Sequence, residues 1–132
     1  MVALLVEHDG RMQKFIWRLL NTNRFTVLTA DDGISALEAS RDHGGVIDLL
    51  LSDVEIPRMG GLELCKQIRV ARPGIKVLMM SYEVRGREQA YMSGLPFVQK
   101  PLRLSVLCKS IETLLGPIST RGGDEHEIST LP

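Results

Sequence analysis

Four separated places in this sequence carry side chains that could do chemistry together: the acidic cluster Glu7-His8-Asp9, the single acid Asp53, the hydroxyl of Ser81 and the ammonium of Lys100. Clustered acids repel one another unless a cation or a lysine balances them, and an oxygen-rich pocket of this kind favours a hard divalent ion such as Mg²⁺. A phosphoryl group suits the same surroundings. Its transfer needs an in-line nucleophile and neutralisation of the equatorial oxygens, which a carboxylate, a metal and a lysine supply jointly. Asp53 is the candidate nucleophile, with Lys100 and Ser81 as partners of the phosphate oxygens.

These residues can act together only if the fold brings them to one edge, and each of them closes an apolar run. Val2–Val6 is unbroken and apolar, as a strand buried on both faces requires, and it stops at Glu7. Met12, Phe15, Ile16, Leu19 and Leu20 then mark one helical stripe that ends near Asn21 to Asn23. Phe25–Thr29 predicts a second strand, Ile34–His43 a helix closed by glycines, and Ile47–Leu51 a third strand leading to Asp53. Leu62–Arg72 returns to helical spacing until Pro73-Gly74 breaks it.

Ile75–Met80 reads as a fourth strand ending at Ser81, followed by a weakly amphipathic helix over Val84–Ser93. Phe97–Gln99 is a brief fifth strand ending at Lys100-Pro101. Leu104, Leu107, Cys108, Ile111, Leu114 and Leu115 make the clearest helical stripe of the chain. Strict alternation with short connections predicts an open, doubly wound five-stranded parallel sheet with five helices on its two faces. In such a sheet the functional crevice lies beyond the carboxyl ends of the strands, where the strand order reverses. The four polar groups are expected there.

The chain has 132 residues, enough for one core. Residues 1–116 are read as that domain and 117–132, polar and without periodicity, as a disordered tail or linker. Lysine plus arginine and aspartate plus glutamate each number 16, so no global field draws in nucleic acid or an anionic membrane. Cys65 and Cys108 sit in helical apolar stripes without partners at ligand spacing, which predicts buried free thiols in a cytoplasmic protein. The apolar runs are strand-sized and no basic-then-hydrophobic leader is read at the start, so neither a membrane span nor a signal peptide is expected.

Over Val2 to Leu115 the chain resembles the receiver family of response regulators in two-component signalling. The resemblance rests on Glu7-His8 after strand one, on Asp53 within SDVEIPRMGGLEL, on Ser81, on Phe97 and on the pair Lys100-Pro101. It implies a flavodoxin-like receiver topology and Asp53 as phosphoacceptor. It also implies Mg²⁺ at Glu7, His8, Asp53 and the backbone carbonyl of Glu55, a cis Lys100-Pro101 bond, and a switch through Ser81 and Phe97. The implied donor is a phosphohistidine on a histidine kinase or phosphotransfer protein. The implied output surface is the face of helix 4, strand 5 and helix 5, read by partners or by a second copy in a homodimer. No catalysis on an outside substrate is implied.

Three positions depart from the family pattern. His8 stands where a metal-binding aspartate is usual, and imidazole is a softer ligand than carboxylate, so Mg²⁺ affinity is expected to fall. Tyr82 stands where a small residue is usual and brings a ring to the phosphate site. Phe97 has no hydroxyl, so it would switch by packing alone. These departures keep open a receiver-like interaction module that does not use phosphate. Flavin or nucleotide binding is disfavoured, because Glu7-His8-Asp9 would repel a phosphate where a glycine-rich loop is needed.

Overall fold

In the computed structural model, which describes residues 1–117, the expected alternation is present as ten elements. They are β1 (Val2–Val6), α1 (Gly10–Thr22), β2 (Thr26–Ala30), α2 (Gly33–Asp42), β3 (Leu49–Asp53), α3 (Gly61–Ala71), β4 (Lys76–Ser81), α4 (Val84–Met92), β5 (Phe97–Gln99) and α5 (Leu104–Leu115). The five strands form one parallel sheet in the order β2-β1-β3-β4-β5. The strand order therefore reverses between β1 and β3.

Alternate side chains of each central strand feed opposite cores. Ala3 and Leu5 of β1 and Leu49 and Leu51 of β3 join Ile16, Leu20, Leu107 and Ile111 from α1 and α5. Leu4, Val6 and Leu50 join Ala36, Leu64, Ile68 and Ala90 from α2, α3 and α4 on the other face. Both faces are covered, which explains why β1 and β3 read as apolar runs and not as alternating ones.

Three strands are displaced from the sequence expectation, the fourth by one residue, since it runs from Lys76 to Ser81 and not from Ile75 to Met80. The third runs from Leu49 to Asp53 and not from Ile47 to Leu51, because Asp48 interrupts the apolar stretch and spends its carboxylate on the Val2 amide at 2.8 Å. The shift matters for function, since it carries Asp53 onto the last position of β3. The second strand starts at Thr26, one residue later than expected: Phe25 donates its amide to Leu20 O and buries its ring in the α1–α5 core. The weak amphipathicity of α4 has a simple cause, namely that only Gly86 and Ala90 of that helix are buried. Lys100-Pro101 is cis, as expected. The expected tail over 117–132 lies, beyond Pro117, outside the described residues.

Candidate functional site

The carboxyl ends of β1, β3, β4 and β5 deliver Glu7, Asp53, Ser81 and Lys100 to one edge, and all four are buried. The register fixes their neighbourhood: Ser52 pairs with Val6 across β1/β3, Asp53 with Met80 across β3/β4, and Ser81 with Gln99 across β4/β5. Each functional side chain thus lies at or just past the last paired position of its strand.

Lys100 Nζ stands 2.5 Å from Glu7 Oε1 and 2.5 Å from Asp53 Oδ1, so one ammonium serves two carboxylates. Its approach to Asp53 Oδ1 is a charge contact without hydrogen-bond angles, and that oxygen is left as a buried acceptor with no donor among the described residues. Glu7 Oε2 also accepts from the Asp9 amide at 3.1 Å. Two negative charges in one dry place are unfavourable, and the pair divides the cost unequally. Burial, reinforced by Glu7, pushes the Asp53 carboxyl up to about 8. Burial works against the Glu7 charge too, yet its hydrogen bonds with Asp53, Lys100 and the Asp9 amide hold Glu7 below the usual carboxylate range. Burial opposes the Lys100 charge as well; the two carboxylates outweigh it and raise the ammonium above its ordinary value.

The remaining expected residues lie differently. His8 is exposed, and Asp9 is turned to α1, whose Arg11 and Met12 amides it caps at 2.9 and 3.3 Å. Among the described residues no three His, Cys, Asp or Glu side chains converge as metal ligands, so Glu7, His8 and Asp53 do not form one cluster. The Glu55 side chain is engaged with Ser81: its Oε1 accepts from the Ser81 hydroxyl at 2.7 Å. Ser81 Oγ in turn accepts from the Glu83 amide at 2.9 Å. Tyr82 is exposed, and its ring centroid lies 5.2 Å from Lys100 Nζ, within the range of a cation–π contact. Phe97 is half-buried against the α2–α4 core.

Two glycines hold this edge together, and sequence reasoning singled out neither. A Cβ at Gly61 would overlap the backbone carbonyl of Asp53, and one at Gly86 would overlap Ser81 Oγ and Glu55 Oε2. The helices α3 and α4 can approach the strand ends this closely only through glycine. A glycine in the first turn of each helix was the available signal. The β3–α3 loop is tied down from the other side, where Arg58 pairs with Asp32 at 3.3 Å and the Gly33 amide donates to Pro57 O at 3.3 Å.

The fold is shared with known proteins. The family model described as the response regulator receiver domain matches residues 3–112. The chain belongs to that family. It is a receiver domain of two-component signalling, and receiver domains are phosphoacceptor switches that generally bind Mg²⁺ in an acidic pocket.

Among curated relatives, the sensor kinase CckA of Brucella abortus is 32% identical over 119 residues, which cover 86% of this chain and 12% of CckA. The response regulator MprA of Mycobacterium leprae is 32% identical over 121 residues, which cover 87% of this chain and 51% of MprA. The receiver domain therefore spans about half of one relative and a small part of the other. Among solved structures, the receiver domain of a hybrid histidine kinase CckA superposes with a TM-score of 0.74 at 30% identity, covering 87% of this chain and 99% of that one. The chemotaxis protein CheY4 of Vibrio cholerae superposes with a TM-score of 0.76 at 24% identity, covering 86% and 98%, and shares the fold. No helix of the described residues is long and apolar enough to cross a membrane.

Proposed function

We propose that Asp53 of this receiver domain accepts a phosphoryl group from a phosphohistidine, and that the acyl phosphate alters the surface carried by α4, β5 and α5. The observation that carries this reading is the Lys100 ammonium seated between Asp53 and Glu7 at the point where the strand order reverses. An Asp53 oxygen attacks phosphorus in line; the P–O bond forms as the P–N bond breaks, and the imidazole departs. Lys100 neutralises charge on the transferring oxygens, and the Ser81 hydroxyl donates to one of them.

Family membership points to a divalent cation held by Glu7, by Asp53 and by the backbone carbonyl of Glu55, and it would have to share the two carboxylates with the Lys100 ammonium. Bound there, Mg²⁺ would neutralise the phosphoryl oxygens. His8, exposed and imidazole, adds no hard oxygen to that set, so affinity for Mg²⁺ is lower than a second acid would give. Tyr82 screens Lys100 from one side, and Phe97 turns inward by packing when Ser81 moves.

The unit that acts is residues 1–116, and it catalyses at most its own phosphorylation and dephosphorylation. The partner is a histidine kinase or phosphotransfer protein, in keeping with the likeness to a receiver domain within a hybrid histidine kinase. Val84, Tyr91, Met92 and Val106 are exposed on α4 and α5, which supports a homodimer or partner contact on that face. A cytoplasmic location fits the two buried free thiols.

Incubating the protein with Mg²⁺ and acetyl phosphate tests the assignment. A phosphoryl mass increment is expected in the wild type and not in Asp53→Asn. A receiver fold that serves contacts alone is the second reading, favoured by the outward His8 and by a lysine that already neutralises both carboxylates. It predicts no increment in either protein.

A further inference from the structure

Resting on the assignment of Asp53 as phosphoacceptor, we propose that Glu55 is a positioning residue: its carboxylate latches the Ser81 hydroxyl and the first turn of α4 in the unphosphorylated state, so that phosphoryl uptake must displace it. A serine hydroxyl has a single proton to donate. In this structure that proton goes to Glu55 Oε1 at 2.7 Å, while the hydroxyl oxygen accepts from the Glu83 amide at 2.9 Å. Ser81 cannot donate to Glu55 and to a phosphoryl oxygen at once.

The other Glu55 oxygen lies against α4. Glu55 Oε2 and Ser81 Oγ both occupy the space that a Cβ at Gly86 would take, which places the carboxylate on the opening turn of that helix. The N-cap residue Glu83 makes no side-chain capping bond, so α4 begins without the usual side-chain acceptor, and a carboxylate is stabilised beside such an N-terminus. Glu55 thereby ties three parts together: the β3–α3 loop that follows Asp53, the end of β4 and the start of α4. A phosphoryl group on Asp53 brings negative charge next to Glu55 and competes for the Ser81 proton. Both effects expel the carboxylate and loosen the start of α4, which is how the event at Asp53 reaches the face that partners read.

The test uses the intact chain and the exposed position 55, where Glu55→Ala and Glu55→Gln leave the backbone carbonyl in place. Hydrogen exchange of the unphosphorylated proteins reads the latch directly. Faster exchange at residues 83–87 in Glu55→Ala, with the central strands unchanged, supports it; unaltered exchange there overturns it. Phosphorylation by acetyl phosphate with Mg²⁺ is the second readout. Position 55 is exposed, so release of this hydrogen bond is worth no more than an ordinary one and should speed uptake by roughly three- to tenfold in Glu55→Ala, with Glu55→Gln between it and the wild type. A rate in Glu55→Ala equal to or below that of the wild type overturns the latch. Absence of uptake in all three proteins would refute the Asp53 assignment instead, and the exchange measurement would still decide the latch.

Discussion

Lys100 Nζ lies 2.5 Å from Asp53 Oδ1, and the same nitrogen lies 2.5 Å from Glu7 Oε1, 93 positions away in sequence. The ion pair is dry, so its parts are worth little singly and much together. Removing the ammonium in Lys100→Met leaves the buried Glu7 charge and the Asp53 carboxyl group facing each other without their shared cation. We expect a loss of about 3 kcal/mol in urea unfolding, because truncating one member of a buried charged group strands the others. Adding Asp53→Asn should restore part of it, as groups in contact are not additive. A Lys100→Met protein as stable as the wild type would show that the contact carries no energy.

The elevated Asp53 carboxyl makes stability depend on pH in a stated direction. In metal-free protein its pKa is about 8, against an ordinary 3.8, so the folded state holds a proton that the unfolded chain releases. That contribution is complete below the ordinary value and is lost as pH rises through about 8. Glu7 acts in the other window: its pKa is lowered from 4.5, so its contribution is present above that value and is lost as pH falls through the lowered one. With a chelator present, the wild type should lose stability relative to Asp53→Asn as pH rises from about 4 to about 8. A difference that stays constant across that range would contradict the shift.

His8 is the residue whose replacement should improve the site. Position 8 is exposed here, so a carboxylate there becomes a hard oxygen ligand only by turning in beside Glu7; on that footing His8→Asp is expected to bind Mg²⁺ roughly tenfold more tightly. Titration calorimetry on wild type and variant reads this. Equal affinities would mean that position 8 does not face the cation.

Gly61 sets how closely α3 approaches the end of β3. Its Cβ would meet backbone, the Asp53 carbonyl, and not the movable tip of a side chain. Gly61→Ala should therefore destabilise the domain by about 1–3 kcal/mol, the range seen when a packed site is overfilled. Thermal unfolding checks it, and an unchanged transition would show that the helix can retreat at no cost.

Much of this architecture is legible in the sequence, because buried parallel strands are written as apolar runs and their ends as abrupt polar stops. Val2–Val6 followed by Glu7 carries that message without ambiguity, and Ile75–Met80 followed by Ser81 carries it to within one residue. Asp48 shows its limit. A polar residue inside an apolar stretch moved the third strand by two positions, since its bond to the Val2 amide lies across the sheet and leaves no local trace. The site divides in the same way. Spacing brought Glu7, Asp53, Ser81 and Lys100 to one edge, but the side-chain direction of Glu55 depends on the room left by Gly86. His8 and Asp9 illustrate the same point: adjacent in sequence to Glu7, they face solvent and the α1 N-terminus, because successive residues leaving a strand point different ways.

Fluoroberyllate, a mimic of the phosphoryl group, tests most directly whether Asp53, Lys100 and a divalent cation share one hollow. With Mg²⁺ present, fluorine NMR should show a bound signal in the wild type, a weaker one in Lys100→Met and none in Asp53→Asn. A signal that survives Asp53→Asn, or a wild type that never binds the mimic at saturating Mg²⁺, would contradict the account.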